Sequence, residues 1–289
     1  MIVDMRIIIT GVNSYISQNL KLWLIKHNYD VVLLSLRDDT WKDFVFYPND
    51  ILIHCAGLVH RNKNEFTFDD YLKINTELTV ELAKKAKKGG VRQFVFMSTR
   101  AVYGIEGSCF KRVVINQNTI PNPKTFYGIS KYQAENLLLQ LEDDLFHVSI
   151  IRAPFIYGKN CKGNYQMLRK LVLKFGFIPK INNEYSMLYI DNLCELVLQI
   201  IRVNYSGFVL PQDMPTNSTS KMAQLIAIEN NRKVYITPIF NPIIRLLSLF
   251  VKPVRTAFGT EIYDYSISKF CEKYSIVGFE ESIHKTEMR

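Results

Sequence analysis

Short apolar runs alternate with longer segments of helical period through the first half of the chain. Five runs rich in β-branched residues are predicted strands, at residues 6–10, 31–36, 51–57, 94–98 and 148–154. Three segments between them have apolar residues at helical spacing and are predicted helices, at residues 14–27, 71–88 and 127–140. Strands that are apolar throughout and separated by helices predict an α/β fold, a doubly wound parallel sheet of the Rossmann type with helices on both faces.

The pattern becomes less regular after Pro154. Helices are predicted at residues 164–175, 191–203 and 220–228, and a strand at residues 185–190. We therefore expect a dinucleotide-binding Rossmann domain at residues 1–158 and a smaller substrate-binding portion at residues 159–289, partly interleaved with the sheet. Residues 242–258, PIIRLLSLFVKPVRTAF, are apolar with basic residues interspersed. Core or lid packing is the favoured interpretation of this segment, and contact with a membrane surface is the less favoured alternative.

Composition excludes several classes of protein. With 48% hydrophobic and 22% charged residues, the chain is neither disordered nor of low complexity. No apolar stretch reaches the roughly 18 residues of a membrane span, and the apolar run near the N-terminus follows an acid, so it predicts a strand rather than a secretory signal. The five cysteines are an odd number, widely spaced and without a C-x-x-C motif. They predict no metal site and suit a reducing cytoplasm.

The chain carries a formal net charge of +9. Such a charge suits a nucleic acid, an anionic membrane surface, an anionic small substrate or simply a lysine-rich surface. The basic residues are scattered, apart from four lysines between residues 84 and 88 at the end of a predicted helix. The lysine-rich surface is the favoured interpretation, and since no nucleic-acid motif is present, no nucleic-acid partner is expected.

The first predicted strand leads into T-G-V-N-S-Y-I-S, residues 10–17. A dinucleotide site has glycines in this turn, so that the backbone approaches the pyrophosphate and the helix N-terminus faces the anion. Gly11 occupies the first glycine position, and Ser14 and Ser17 occupy the second and third. Two interpretations stay open: a working phosphate loop in which serine hydroxyls donate to phosphate, or an ordinary turn with Ser14 near the helix N-cap. The candidate cofactor contacts are Gly11, Asn13, Ser14, Tyr15 and Ile16.

The end of the second strand bears on the choice of cofactor. NAD sites have an acid here that binds the ribose hydroxyls, whereas this chain has Ser35, Leu36 and Arg37. Loss of the acid removes repulsion against a 2′-phosphate, and Arg37 is able to contact that phosphate. We therefore predict NADP as the cofactor, with NAD as the alternative.

A hydroxyl, a phenol and an amine follow in order along the central part of the chain. Thr99 lies at the end of a strand in S-T-R-A-V-Y-G, and Y-G-I-S-K places Tyr127 and Lys131 one helical turn apart. A free phenol has a pKa of about 10, and a neighbouring ammonium favours the phenolate. Tyr127 is thus a candidate acid/base, Lys131 its partner and Thr99 a donor to the substrate oxygen. A tyrosine and a lysine that merely share a helix face are the alternative.

These motifs, with H-C-A-G at residues 54–57 and R-A-P-F-I-Y-G at residues 152–158, resemble those of the extended short-chain dehydrogenase/reductases, the NAD-dependent epimerase/dehydratase family. The resemblance covers nearly the whole chain. It implies that Thr99, Tyr127 and Lys131 are catalytic. Further cofactor contacts implied by the resemblance are Ala56, Gly57, Asn75, Lys131 and Pro154.

Departures from the family pattern narrow the expected reaction. Dehydratases of the family carry an Asp-Glu pair after the catalytic threonine, whereas this chain has Arg100 and Ala101, so dehydration is not expected. Arg100 becomes a candidate substrate contact together with Thr99. Epimerases of the family usually keep the glycine loop and the acid that binds NAD, and this chain has neither.

The C-terminal motifs, at residues 158–171 and 186–193, look like those of 4-keto reductases that complete UDP-N-acetyl-6-deoxyhexosamines such as UDP-N-acetylquinovosamine. That likeness implies that Asn164 lies near a nucleotide diphosphate, and a helix N-cap is the alternative for this residue. A cap is likewise an alternative for Asp191 and Asn192. Basic residues of the C-terminal half are expected to meet the diphosphate.

The sequence therefore predicts an NADP(H)-dependent reductase of the C4 ketone of a UDP-linked keto sugar, serving surface polysaccharide synthesis. A UDP-hexose 4-epimerase with tightly bound NAD is the first alternative, and a non-catalytic nucleotide-sensing or scaffold protein is the second. A homodimer through the helix that carries Tyr127 is common in the family. On that helix and just after it, Leu137, Leu138 and Leu141 suit either such an interface or the core.

Overall fold

The structure, a computed structural model, describes residues 5–59 and 66–288. The first residues of the N-terminal run, 1–4, lie outside the described residues. Within these ranges the strands are β1 (Arg6–Thr10), β2 (Asp30–Leu34), β3 (Ile51–His54), β4 (Gln93–Thr99), β5 (Val113–Ile115), β6 (His147–Ala153), β7 (Phe155–Tyr157), β8 (Phe177–Pro179), β9 (Met187–Tyr189), β10 (Gly207–Val209), β11 (Tyr235–Thr237) and β12 (Glu261–Tyr263). The α-helices are α1 (Tyr15–Lys26), α2 (Phe68–Leu72), α3 (Leu78–Lys88), α4 (Phe126–Leu139), α5 (Asn164–Lys174), α6 (Ile190–Arg202), α7 (Thr219–Glu229), α8 (Asn241–Phe250), α9 (Lys252–Phe258) and α10 (Phe279–Glu287).

Six of the strands form one parallel sheet in the order β10-β6-β4-β3-β1-β2. The chain moves outward from β1 to β2 and then returns to the other side of β1 with β3, so the strand order reverses between β1 and β3. A ligand crevice forms at such a point, outside the carboxyl ends of the strands. The predicted doubly wound parallel sheet is confirmed, and its switch point lies between the Gly11 turn and the Cys55–Gly57 turn.

Alternate side chains of the strands enter two separate cores, one on each face of the sheet. Ile7 and Ile9 of β1 pack with Leu20 and Leu24 of α1, in a core that also contains α6. Ile8 of β1 lies in the other core, among the apolar side chains of α3 and α4. Because both faces are covered, most side chains of these strands are apolar, which explains why the sequence pattern identified them.

The second half of the chain departs furthest from the predicted elements. β10 adds an edge strand beside β6, and the short strands β5, β7, β8, β9, β11 and β12 pair into three two-stranded pieces. Only β9 among these seven strands was predicted. Each has three residues, too few for a period to be visible, and tertiary pairing determines them.

The structure places the N-caps of α5 and α6 at other residues than those considered from the sequence. Gly163, not Asn164, is the N-cap of α5, and no side-chain cap bond is made there. The N-cap of α6 is Tyr189, so Asp191 and Asn192 are not N-caps, and the amide of Asn192 is buried and donates to Asp213 Oδ1 (2.7 Å). The cap interpretations of Asn164, Asp191 and Asn192 are therefore wrong.

The leucines of α4 divide between the core and the surface. Leu138 is fully buried, whereas Leu137 is 39% exposed. Leu141 packs at the edge of the core that contains α3 and α4. Only Leu137 is thus available for a contact between copies, and the homodimer stays a prediction. No helix among the described residues is long and apolar enough to cross a bilayer.

Candidate active site

The turn after β1 forms the floor of the crevice. Gly11 has a φ of +80°, and a Cβ at this position would lie 2.9 Å from the Ala56 nitrogen. The turn therefore needs glycine, both for its left-handed backbone and for the close approach of the strand end that carries Ala56. Tyr15 and Ile16 open α1, and first-turn amides have no acceptor within their own helix. Asn13 is exposed beside them.

Both serine hydroxyls of this turn are used inside the loop. Ser14 is the N-cap of α1 and accepts from Ser17 N (3.0 Å), while its own hydroxyl donates to Ser17 Oγ (2.9 Å). The buried Ser17 hydroxyl donates to Gly11 O (2.5 Å). The serines therefore hold the loop in shape, and the donors left for a phosphate at this point are the backbone amides of the helix N-terminus.

A buried chain of hydrogen bonds joins the ends of β1 and β3 to the helix above them. Thr79 Oγ1 donates to Asn75 O (2.8 Å), so His54 Nε2 is the donor to Thr79 Oγ1 (2.9 Å), and His54 Nδ1 accepts from Thr10 Oγ1 (2.8 Å). Thr10 Oγ1 in turn accepts from Ala56 N (3.2 Å). Burial lowers the pKa of His54 to about 3, so the imidazole is neutral and acts as a fixed connector.

Asn75 fixes the loop that follows β3. It lies in a π-helical turn, Lys73–Glu77, between α2 and α3, and its side chain is fully buried. Its Oδ1 accepts from Leu58 N (2.7 Å), and its Nδ2 donates to Leu58 O (3.0 Å) and Ser130 Oγ (3.0 Å). Asn75 therefore connects the crevice loop to α4, and its amide is satisfied by protein groups.

The start of α4 brings Tyr127 to the end of β4. Thr125 is the N-cap and accepts from Gly128 N (3.0 Å). A Cβ at Gly128 would lie 2.6 Å from Ala101 O, so only glycine lets the helix approach this closely. Thr99 Oγ1 accepts from Ala101 N (3.1 Å), which leaves the threonine hydroxyl hydrogen to be donated.

Burial raises the pKa of Tyr127 to about 12, and a side-chain hydrogen bond with Thr99 opposes that rise. The phenol is therefore protonated at neutral pH in the protein alone. From the sequence we expected Lys131 to favour the phenolate and so to lower the pKa of Tyr127. In the structure, desolvation has the larger effect on that pKa and raises it.

Lys131 lies fully inside the site, one turn further along α4. Its side chain is buried, Nζ donates to Met97 O (3.0 Å), and the ammonium lies 4.4 Å from the centre of the Phe96 ring. Burial lowers the pKa of Lys131 to about 8, so the group is still mostly charged at neutral pH. A Cβ at Gly57 would lie 3.2 Å from Nζ and 3.0 Å from Asn75 Oδ1. Glycine at position 57 thus keeps open the space in front of the ammonium.

The positions around this space fit a dinucleotide. The Gly11 turn offers a tight backbone and the amides that open α1, and the exposed Gly57 leaves room beside the Lys131 ammonium. Pro154, half-buried, follows β6 at the same edge of the sheet. Thr99, Tyr127, Lys131, Gly57 and Asn75 are thus brought together by the fold.

Arg100 and Asn164 are the remaining candidate substrate contacts. The Arg100 Nη1 lies 2.8 Å from the buried Glu261 Oε1, and Nη2 donates to Tyr185 OH (2.8 Å). Arg100 thus joins the end of β4 to β12 in the C-terminal part of the chain. Asn164 is exposed at the start of α5.

Arg37 lies exposed after β2, on a cavity of about 410 Å³. The apolar side chains on this cavity are Leu36, Trp41, Ile74 and Leu78, the basic ones are Arg37, Lys42 and Lys73, and the acidic ones are Asp38, Asp39, Glu77 and Glu81. Lys42 is paired with Asp39 (Nζ–Oδ1 2.9 Å). Apolar walls suit an adenine ring, and an arginine beside them suits a phosphate. Ile74 and Lys73 belong to the same π-turn as Asn75, so this cavity adjoins the crevice.

A second cavity, of about 390 Å³, opens between the loop before β5 and α8. Its basic lining residues are Lys111, Arg112, Lys180 and Arg245, and Glu184 is the acidic one. Arg112 is paired with Glu184 (Nε–Oε2 2.5 Å), which leaves Lys111, Lys180 and Arg245 as the excess positive charge. Glu184 adjoins Tyr185, the contact of Arg100, so this basic cleft lies next to the end of β4.

The sequence did not identify the residues that hold other residues of the crevice in place by hydrogen bonds. Thr10, His54 and Ser130 lie in the motifs T-G-V-N-S-Y-I-S, H-C-A-G and Y-G-I-S-K, and no role was predicted for them. Thr79 lies outside every motif. The role of all four follows only from contacts between distant segments. Among the described residues no group of three or more His, Cys, Asp or Glu side chains is arranged to hold a metal ion.

Residues 7–208 match the model of the NAD dependent epimerase/dehydratase family. A UDP-glucose 4-epimerase of Vibrio cholerae is 30% identical over 264 residues, covering 81% of this chain and 78% of that protein. A UDP-2-acetamido-2,6-beta-L-arabino-hexul-4-ose reductase of Pseudomonas aeruginosa is 27% identical over 244 residues, covering 79% of this chain and 59% of the relative. The solved structure of RMD from Pseudomonas aeruginosa complexed with NADPH is similar with a TM-score of 0.75, at 16% identity and 98% coverage of both chains.

Proposed function

The chain belongs to the NAD dependent epimerase/dehydratase family, and from that premise we propose that it is an NADP(H)-dependent reductase of the C4 ketone of a UDP-linked sugar. The chain is a nucleotide-sugar reductase or epimerase of the extended short-chain dehydrogenase/reductase type, with an NAD(P) cofactor. Our proposal adds that the reaction is the reduction of a 4-keto sugar and that it serves surface polysaccharide synthesis.

The observation that carries the proposal is the geometry by which α4 brings Tyr127, with Lys131 one turn further along, to the end of β4 at Thr99. A ketone becomes an alcohol by gaining a hydride at carbon and a proton at oxygen, so reduction needs a proton donor at this place. Burial raises the pKa of Tyr127 to about 12, so the phenol holds a proton to give. An epimerase uses the same phenol first as a base, a role that the positive charge of a bound oxidised cofactor favours, so the choice of the reductase rests on the preference for NADP argued from Arg37.

Each side chain then has one task. When bound, the cofactor supplies the hydride. Thr99 donates a hydrogen bond to the substrate oxygen and fixes the carbonyl, and Tyr127 passes its proton to that oxygen. Lys131, held by Met97 O, stabilises the phenolate that Tyr127 leaves and is placed to bind a ribose hydroxyl.

The basic cleft beside Tyr185 supplies a place for the nucleotide diphosphate. Lys111, Lys180 and Arg245 carry its unpaired positive charge, and cations of this kind bind phosphate oxygens by charge-assisted hydrogen bonds. Arg100 follows Thr99 directly and contacts Tyr185, the neighbour in the chain of Glu184 in this cleft. A sugar held between the cleft and Tyr127 is therefore expected to meet Arg100.

A UDP-hexose 4-epimerase is the second candidate, favoured by the similarity to the Vibrio cholerae enzyme. The test supplies the purified protein with NADPH and a UDP-4-keto-6-deoxy sugar, and separately with UDP-glucose and no added cofactor. The proposed reductase oxidises NADPH in step with the keto sugar and leaves UDP-glucose unchanged. Conversion of UDP-glucose to its C4 epimer with cofactor that co-purifies would replace the reductase by the epimerase. Failure to bind either cofactor would favour the non-catalytic alternative.

The preference for NADP is tested at Arg37. Arg37→Ala is expected to weaken NADPH binding by about 10- to 100-fold, because a charge-assisted contact with the 2′-phosphate is lost, and to leave NADH binding within about twofold. Fluorescence titration with each cofactor measures both affinities. Arg202→Ala, at an exposed arginine on α6, is the control. An equal loss of affinity for both cofactors would mean that Arg37 does not contact the 2′-phosphate.

A further inference from the structure

One face of α8 is apolar and exposed to an unusual degree. Ile243 is 58% exposed, Leu246 60%, Leu249 54% and Phe250 80%. Leu247 and the preceding Ile239 are exposed as well. Soluble proteins rarely expose so many large apolar side chains side by side, and such a patch marks a binding surface.

The opposite face of α8 attaches the helix to the protein. Ser248 is buried, and Ile244 is half-buried one turn before it. Arg255 Nη1 donates to Ser248 O (2.9 Å), and Asn241 Nδ2 donates to Lys180 O (2.7 Å). The helix is therefore fixed from behind, and its outward face, defined by Ile243, Leu246, Leu249 and Phe250, makes up a rigid apolar surface.

The charge around this face has one sign. Between residues 230 and 260 the chain has five basic side chains and no acidic one; the basic ones are Arg232, Lys233, Arg245, Lys252 and Arg255. Glu106 pairs with Lys252 (2.6 Å) and Arg255 (2.5 Å), which offsets only one unit of that charge. The apolar face is thus bordered by a net positive charge.

We propose that the outward face of α8 binds the surface of an anionic lipid bilayer. Leucine, isoleucine and phenylalanine side chains bury their apolar area at the boundary of headgroups and acyl chains, and the flanking lysine and arginine side chains are attracted to acidic headgroups. A second copy of this chain is the other occupant to consider. It would bring two segments of the same positive charge together, which the charge disfavours.

The basic cleft adjoins the helix that docks. Asn241 of the attached face and the exposed Arg245 of α8 both line that cleft. The inference goes beyond the proposed reaction and does not depend on it, since it rests on exposure and charge alone.

Vesicle co-sedimentation of the full chain tests the proposal. The probes are vesicles of phosphatidylcholine alone and vesicles of phosphatidylcholine with phosphatidylglycerol. We expect the wild-type protein to sediment with the acidic vesicles, less with the neutral ones, and less again as salt is added. The double variant Leu246→Glu/Phe250→Glu is expected to lose at least about tenfold in partitioning, because two inserted apolar groups are replaced by charges.

The control is Ile120→Glu/Leu145→Glu, which alters side chains that are 81% and 83% exposed elsewhere on the surface. It should partition like the wild type, and thermal unfolding should be unchanged in both double variants because all four positions are exposed. Wild-type protein that stays in the supernatant with acidic vesicles overturns the proposal, as does an α8 variant that sediments as the wild type does. A dimer in solution that the α8 variant alone dissociates, without vesicle binding, would assign the face to a second copy.

Discussion

Tyr127→Phe is expected to lower the rate of ketone reduction by about 100- to 10,000-fold, the usual contribution of a positioned general acid. Only one oxygen atom is removed, and it is the oxygen whose proton the substrate needs. The pKa of Tyr127, raised to about 12 by burial, means that the wild-type group holds that proton at the pH of the assay. The rate is measured as NADPH consumption under single-turnover conditions, so that product release does not mask the chemical step.

The control for this change is Tyr132→Phe, on the same helix. Tyr132 packs at the edge of the small apolar cluster around Tyr263, and removal of its hydroxyl should leave the rate within about threefold of the wild type. NADPH affinity should be unchanged in both variants, because neither phenol is expected to hold the cofactor. A Tyr127→Phe protein that reduces the ketone at the wild-type rate would remove Tyr127 from the chemistry and favour the non-catalytic alternative.

The residues that the fold brings together in the crevice could be predicted because their order along the chain follows the order of the sheet. Thr99 ends a mostly apolar strand, and Tyr127 and Lys131 lie one turn apart on the next long helix. Parallel strands place their carboxyl ends at one edge, so a motif at each strand end implies that the motifs meet. Gly11 and Gly57 follow by the same argument.

Residues whose role depends on a partner far along the chain could not be predicted in this way. The π-turn at Lys73–Glu77 directs Asn75 toward Leu58 and Ser130, and nothing in its sequence distinguishes it from ordinary helix. Ser17 replaces a glycine, and only the structure reveals that its hydroxyl closes the loop onto Gly11 O. The edge strand β10 has three residues and exists because β6 offers it an open side.

The buried ion pair between Arg152 and Glu135 could not be predicted either, because its partners also lie on separate elements. Arg152 of β6 donates to both carboxylate oxygens of Glu135 on α4 (Nη2–Oε2 2.8 Å), and Ser98 Oγ donates to the same carboxylate. Arg152 Nη1 also donates to Tyr103 OH (2.9 Å). Glu135 is fully buried and Arg152 nearly so, which means that neither charge has water to replace its partner. Glu135 lies one turn after Lys131, so this pair fixes α4 onto the strands that carry Thr99 and Arg152.

Glu135→Gln is expected to lower the free energy of unfolding by about 3–5 kcal/mol, because the Arg152 charge stays buried without its carboxylate. Urea unfolding followed by circular dichroism measures the change. The matched control is Glu281→Gln, which breaks the exposed pair with Lys285 (Nζ–Oε1 2.8 Å) and should cost less than about 0.5 kcal/mol.

The double variant Glu135→Leu/Arg152→Met distinguishes the cost of leaving one charge buried without its partner from the cost of losing the contact itself. It removes both charges and keeps apolar volume, so it should recover part of the stability that the single change loses. Should the double variant instead be as unstable as the sum of its single changes, the two residues act independently and the pair does not fix α4. Recovered stability with a reduced rate would mean that the pair also places Tyr127 and Lys131, since the helix would then be folded yet less well oriented over the strand ends.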